Sequence, residues 1–233
     1  MYNGDMAEQK NEFEKQSPKA VKKSSNRIQN LLVALMFAFA VLAVLAKNIP
    51  YFPFDLLITR SIQQITLPGF KQMMILLTSL GNPEFAIFSV ILFAIALLAL
   101  GKSIYAVFYI LSVSGTEIIS FLFKTIIARP RPSSDLISQL YQFHSNDSFP
   151  SGHVLYYIGC YGFLAYLIYT HFKKGSLKKV LIGILGFFIV GIGISRIYVG
   201  AHWFSDTLGA YLIGTVWLFI VTKLFVRYAK KDT

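Results

Sequence analysis

The chain has one cysteine, Cys160, and only 11 acidic residues among 233. A single cysteine excludes an intrachain disulfide and a cysteine-rich metal site. Its apolar surroundings, Tyr157–Ile158–Gly159–Cys160–Tyr161, suit a small packing residue. Charge of either sign is scarce: 14% of residues are Asp, Glu, Lys or Arg, against about a quarter in a soluble domain. The sequence carries no RNA-binding or helix-turn-helix signature, and no soluble stretch large enough to hold one. The formal net charge of +11 therefore reads as basic loops of a membrane protein, with no nucleic-acid partner.

What the sequence has in quantity is hydrocarbon. It is 55% hydrophobic, with mean hydropathy +0.58. Its apolar runs approach or exceed the length that spans a bilayer core of about 30 Å. An integral, all-α membrane protein is expected, because helices satisfy their own backbone in lipid. Six spans are expected near 31–46, 85–100, 104–123, 154–169, 180–194 and 207–225. They form one six-transmembrane-helix bundle over 29–233, preceded by a disordered basic cytoplasmic tail over 1–28. The first run is read as an uncleaved span and not as a signal peptide. Between the first two spans, 54–62 has the mixed polarity of an outer-face interfacial segment. Glu117 falls inside the third span, where a carboxyl group is expected to face other helices in a structural role. Trp203 and Phe204 are expected as interface anchors. Ala210 and Gly214 form a small-xxx-small pair that suits packing within the monomer as well as a dimer.

With both termini cytoplasmic, the inner segments hold 15 of the 22 Lys and Arg residues, as the positive-inside rule requires. The remaining seven include Lys124, Arg129, Arg131 and Arg196, in the two outer loops that also carry His153 and His202. Span parity thus brings three separated pieces to one membrane face: Lys124 with Arg131, then Ser151–Gly152–His153, then Arg196, His202 and Asp206. Their chemistry favours an anion. Three cations neutralise a dianion, and the arginine fork matches phosphate oxygens. A helix start at Ser151–Gly152 offers free N–H groups. His202 and Asp206 are four apart, so on a helix they share a face. Such a carboxylate fixes one tautomer and leaves the other ring nitrogen free as a nucleophile. A structural His–Asp pair capping the sixth span is the alternative at this point, and the nearby cations weigh against metal ligation. His144 and His171 lack such company and read as incidental.

The three blocks, Lys124-(six residues)-Arg131–Pro132, Pro150–Ser151–Gly152–His153 and Ser195–Arg196-(five residues)-His202-(three residues)-Asp206, together resemble the type 2 phosphatidic acid phosphatase superfamily. The likeness covers about 50–226. Within the superfamily, length and loop sizes are similar to the bacterial phosphatidylglycerophosphate phosphatases of the B type. The resemblance implies a membrane lipid phosphatase with no metal or other cofactor, working among membrane lipids with its site on the extracytoplasmic face. It implies that His202 attacks phosphorus to give a phosphohistidine, that Asp206 orients it, and that His153 protonates the departing alcohol. Lys124, Arg131, Ser151, Gly152 and Arg196 would hold the phosphate oxygens. Phosphatidylglycerophosphate is the expected substrate. Undecaprenyl diphosphate or a broad range of lipid phosphates is the alternative, and an anion transporter is the rival from another class.

Overall fold

The computed structural model describes residues 18–141 and 147–229, with side chains from residue 26 onward. The expectations for residues 1–17, His144, Lys230 and Lys231 lie outside the described residues. The described part is all-helical: α1 (Pro18–Asn48), α2 (Pro53–Gln63), α3 (Phe70–Ser79), α4 (Pro83–Ala99), α5 (Ser103–Ile127), α6 (Gly152–Tyr157), a π-helical turn (Ile158–Gly162), α7 (Phe163–His171), α8 (Ser176–Tyr198) and α9 (Phe204–Ala229). Residues 18–28, read as tail, are helical and continuous with the first span.

Four helices are long and apolar enough to cross a membrane by length and composition: Asn26–Asn48, α5, α8 and α9. A fifth arises if α3 and α4, bent by 66° at their junction, count as one span. The bend falls at Gly81–Asn82–Pro83, where Pro83 opens α4 in the first turn, a position at which its missing N–H costs no intrahelical hydrogen bond. The expected span at 154–169 falls in the helical run of α6, the π turn and α7, none of which alone reaches 18 residues.

The bundle centre is aromatic. Tyr109, Phe149, Tyr157 and Phe163 are fully buried between α5, α6–α7 and α9. Close approach relies on small residues, as in other membrane bundles. A Cβ on Gly115 would lie 2.0 Å from the Trp217 ring. Inside the π turn, the Gly159 carbonyl accepts a hydrogen bond from Ser112 Oγ at 2.8 Å, so the broken helical ladder stays satisfied. Gly214 faces Ile158 and Leu155, and Ala210 is fully buried, so the small pair on α9 packs inside the monomer. The outer surface is apolar: on α4 only Ala94 is buried. Phe85, Phe88, Leu92 and Ile95 are all exposed, as lipid permits and water does not.

Two expectations are corrected here. Trp203 is not an interface anchor. It is 1% exposed and stacked on Tyr51 at 5.1 Å, because the α8–α9 loop folds inward beneath the α1–α2 connection. Glu117 faces α4 only across an open cleft, on whose wall it is exposed, and is not packed against another helix.

The amphipathic segment forms as α2, with its polarity turned inward. Asp55 and Thr59 are fully buried, while Leu57 and Phe54 are exposed. Asp55 Oδ2 accepts from the Phe52 N–H at 3.0 Å, which starts the helix. Arg60 and Gln63 donate to the carbonyls of Leu136 and Ser138, pinning the α5–α6 loop from outside. At the centre of this junction sits Arg129, fully buried. Its guanidinium pairs with Asp55 at 3.0 Å and with Asp206 at 2.6 Å. It also donates to Ser205 Oγ at 2.7 Å and to the Pro50 carbonyl at 3.1 Å.

One cation therefore joins α2, the loop after α5 and the first turn of α9. Removing a single member of a buried ion pair typically costs about 3–5 kcal/mol. Arg129→Met should lower the thermal midpoint of the detergent-solubilised protein far more than Arg60→Met, which removes an exposed arginine. Equal small losses in the two variants would contradict the central role of Arg129.

Candidate active site

The α8–α9 loop carries the reactive pair. Gly200 turns the chain at φ 74°, a conformation that favours glycine. A Cβ there would lie 2.3 Å from the Ser138 carbonyl oxygen, so the α5–α6 loop presses directly on it. His202 follows, 1% exposed. Its Nδ1 lies 3.6 Å from Asp206 Oδ2, and its Nε2 lies 3.3 Å from Arg131 Nη1. The two ring nitrogens thus face opposite charges. Asp206 is itself held on both sides: Oδ1 accepts from Arg129, and Oδ2 accepts from the Trp203 N–H at 2.9 Å.

Burial pushes the His202 pKa well below the ordinary value for histidine, and Arg131, Arg196 and Lys124 push it further in the same direction. Nearby positive charge disfavours an imidazolium, so His202 is neutral near pH 7. Arg131 Nη1 also donates to the Ala201 carbonyl at 2.7 Å, which fixes it above the imidazole. Arg196, on the last turn of α8, donates to Thr78 Oγ1 at 2.6 Å. Ser195 beside it donates to the Met74 carbonyl, so α3 sets the orientation of this end of α8.

The second block lies opposite. The Ser151 N–H donates to the Asp206 carbonyl at 3.2 Å, which ties the start of α6 to the start of α9. Ser151 Oγ is buried with no hydrogen-bond partner, and His153 Nε2 likewise has none. Both are polar groups awaiting a ligand or solvent. A Cβ on Gly152 would lie 3.0 Å from Ser120 Oγ and 3.6 Å from Lys124 Nζ, so any side chain there would crowd Ser120 and fill the space beside Lys124. A Cβ on Gly81 would strike the His153 ring at 2.6 Å, so the α3–α4 bend positions this histidine. Lys124, Gly152, His153 and Ser120 line one end of a cavity of about 510 Å³. It continues between α4 and α5 along Ile87, Val90, Ile91 and Val113.

Of the eight residues singled out from the sequence, Lys124, Gly152 and His153 line the cavity, Arg131, Arg196 and Asp206 lie around His202, and Ser151 is tied to Asp206 through its backbone. The structure adds Arg129, Asp55, Thr78, Gly81 and Ser120. Arg129 stood in view as an outer cation, but its spacing gave no sign that it turns away from the anion pocket. Asp55 carried a usable signal: with so few acidic residues, a carboxylate between apolar neighbours asks for a buried partner. Thr78, Gly81 and Ser120 carried none. Among the described residues no group of three or more His, Cys, Asp or Glu side chains could hold a metal ion.

The chain is 27% identical over 190 residues to phosphatidylglycerophosphatase B of Bacillus subtilis (strain 168), an overlap of 81% of this chain and 92% of that protein. Its fold matches the crystal structure of the transmembrane PAP2 type phosphatidylglycerolphosphate phosphatase from Bacillus subtilis. The TM-score is 0.72 at 25% identity, over 84% of this chain and 96% of that one. LpxE of Aquifex aeolicus matches with TM-score 0.62 at 25% identity, over 75% of this chain and 98% of that one. The PAP2 superfamily model matches residues 104–230, which include every charged or titratable group placed around His202 except Asp55. The chain belongs to the PAP2 superfamily, as a membrane phosphatase.

Proposed function

We propose that this phosphatase hydrolyses a lipid phosphomonoester at the outer membrane face through a phosphohistidine on His202, with no metal or other cofactor. Phosphatidylglycerophosphate is the substrate, giving phosphatidylglycerol and inorganic phosphate. The observation that carries the mechanism is the split environment of His202: Nδ1 towards Asp206, Nε2 towards Arg131. The lipid is supported by the named relative, 92% of whose length is matched.

In this reading the Asp206 carboxylate, 3.6 Å from Nδ1, draws the ring proton to that nitrogen by its charge, so the lone pair sits on Nε2. Nε2 attacks phosphorus as the bond to the lipid oxygen breaks. His153, which burial and the neighbouring cations hold neutral until the phosphate dianion offsets them, takes up a proton from solvent on substrate binding and passes it to that oxygen. Water then attacks the phosphohistidine and gives its proton to His153. The N–P bond breaks, neutral His202 returns and phosphate leaves. Lys124, Arg131, Arg196 and the N–H groups at Ser151 and Gly152 hold the equatorial oxygens, where charge builds in the transition state. A six-span reading with both termini cytoplasmic would put this chemistry outside, and the bias of Lys and Arg among the loops supports it.

His202→Ala should abolish phosphate release from every substrate; near-normal turnover would rule out the nucleophile. His153→Ala should slow alkyl phosphates by about 10²–10⁴-fold and an activated aryl phosphate far less, because a good leaving group needs no proton. Equal losses on both would remove the general acid. The acid limb of kcat/KM for one fixed substrate should move to higher pH in Arg131→Met, since losing a neighbouring cation raises the His202 pKa. An unmoved limb would separate His202 from that profile. Ser134→Cys, in the exposed part of the α5–α6 loop, should react with an impermeant thiol reagent from outside intact cells. Labelling only after lysis would reverse the topology.

A further inference from the structure

Glu117 takes no part in the chemistry above, yet it lies in the same cavity as Lys124 and His153. We propose that Glu117 forms a second polar subsite that accepts a hydrogen bond from a hydroxyl or amide N–H on the lipid part of the substrate. The inference rests on the lipid phosphatase reading and adds a selection rule for the leaving alcohol.

The placement follows from helix geometry. Ser114, Glu117, Ser120 and Lys124 are spaced by three, three and four residues on α5, so they form one stripe along one face. All four line the cavity. The α-carbons of Glu117 and Lys124 are two turns apart, about 10 Å at 1.5 Å per residue. Side chains on a helix lean towards its N-terminus, so the Lys124 stem shortens the gap to the carboxyl. The facing wall, on α4, is apolar: Ala86, Ile87, Val90 and Ile91. An amphiphile with its phosphate at Lys124 and His153 would lay its polar linkage along the stripe and its chains against α4.

Glu117 has reason to wait for such a ligand. Lys124 is the one charged group identified as acting on it, and no hydrogen bond to its carboxyl is found among the described residues. It lies ten residues before the end of a 25-residue helix, too deep for so short a side chain to reach either surface. An unpaired carboxyl group beside hydrocarbon is costly and marks function more often than packing. A hydroxyl or amide on the substrate would satisfy it. An isoprenyl chain offers no donor and would leave it unpaired, so the subsite favours glycerol-type or amide-bearing lipid phosphates.

The test uses a monoacylglycerol 3-phosphate and its 2-deoxy analogue, which differ by one hydroxyl, with an aryl phosphate as the reference. In the full-length protein the hydroxyl compound should lead in kcat/KM by about 10- to 100-fold, as expected for a hydrogen bond to a charged acceptor. Glu117→Leu should erase that preference by slowing the hydroxyl compound alone, with aryl phosphate turnover unchanged. Glu117→Gln, which keeps a neutral acceptor, should retain a smaller preference of about 2- to 10-fold. Equal kcat/KM for the two lipids in the unaltered protein, or equal losses in Glu117→Leu, would overturn the subsite and leave the phosphatase reading intact. No release of phosphate from any of the three by the unaltered protein would overturn both.

Discussion

The guanidinium of Arg129, fully buried between two fully buried carboxylates, is the constraint on which the rest of the structure depends. Asp55 comes from α2, Asp206 from α9, and Arg129 from the chain leaving α5. Their mutual attraction in a low-dielectric interior holds three distant segments in register. The same contact decides which way Asp206 points. With Oδ1 held by Arg129, Oδ2 is left towards His202 and the Trp203 N–H. The carboxylate behind the histidine is thus aimed by a residue that faces away from the cavity.

A second consequence is the inversion of polarity. In water a bundle hides hydrocarbon and displays charge. Here α4 exposes nearly every large apolar side chain, and α2 turns Asp55 and Thr59 inward with Leu57 outward. Polar groups collect where they can partner one another or an amphiphilic ligand. The cavity joins both worlds, with Lys124 and His153 at one end and the isoleucines of α4 along its length.

Much of this was legible in the chain. The all-helical membrane architecture follows from apolar runs and scarce charge. Counting spans led to the expectation that Lys124, His153, Arg196 and His202 converge, and Lys124 and Arg196 do lie close enough to His202 to act on its charge. Other features were hidden for physical reasons. Spacing reports which residues share a face of a helix, but not which way that face turns, so α2 was recognised as amphipathic without its orientation. Trp203 looked like an interface anchor because composition cannot show that its loop folds inward. Arg129 and Arg131 are two residues apart in one loop, yet only packing sends one to a carboxylate pair and the other to His202.

The sequence by itself determined the medium and the helices, because burial in lipid and hydrogen-bonding periodicity are local properties of the chain. Only the tertiary structure decided how Asp206 is aimed, where Glu117 looks and how Gly81 seats His153. Those depend on contacts between residues tens of positions apart, whose partners no local pattern encodes.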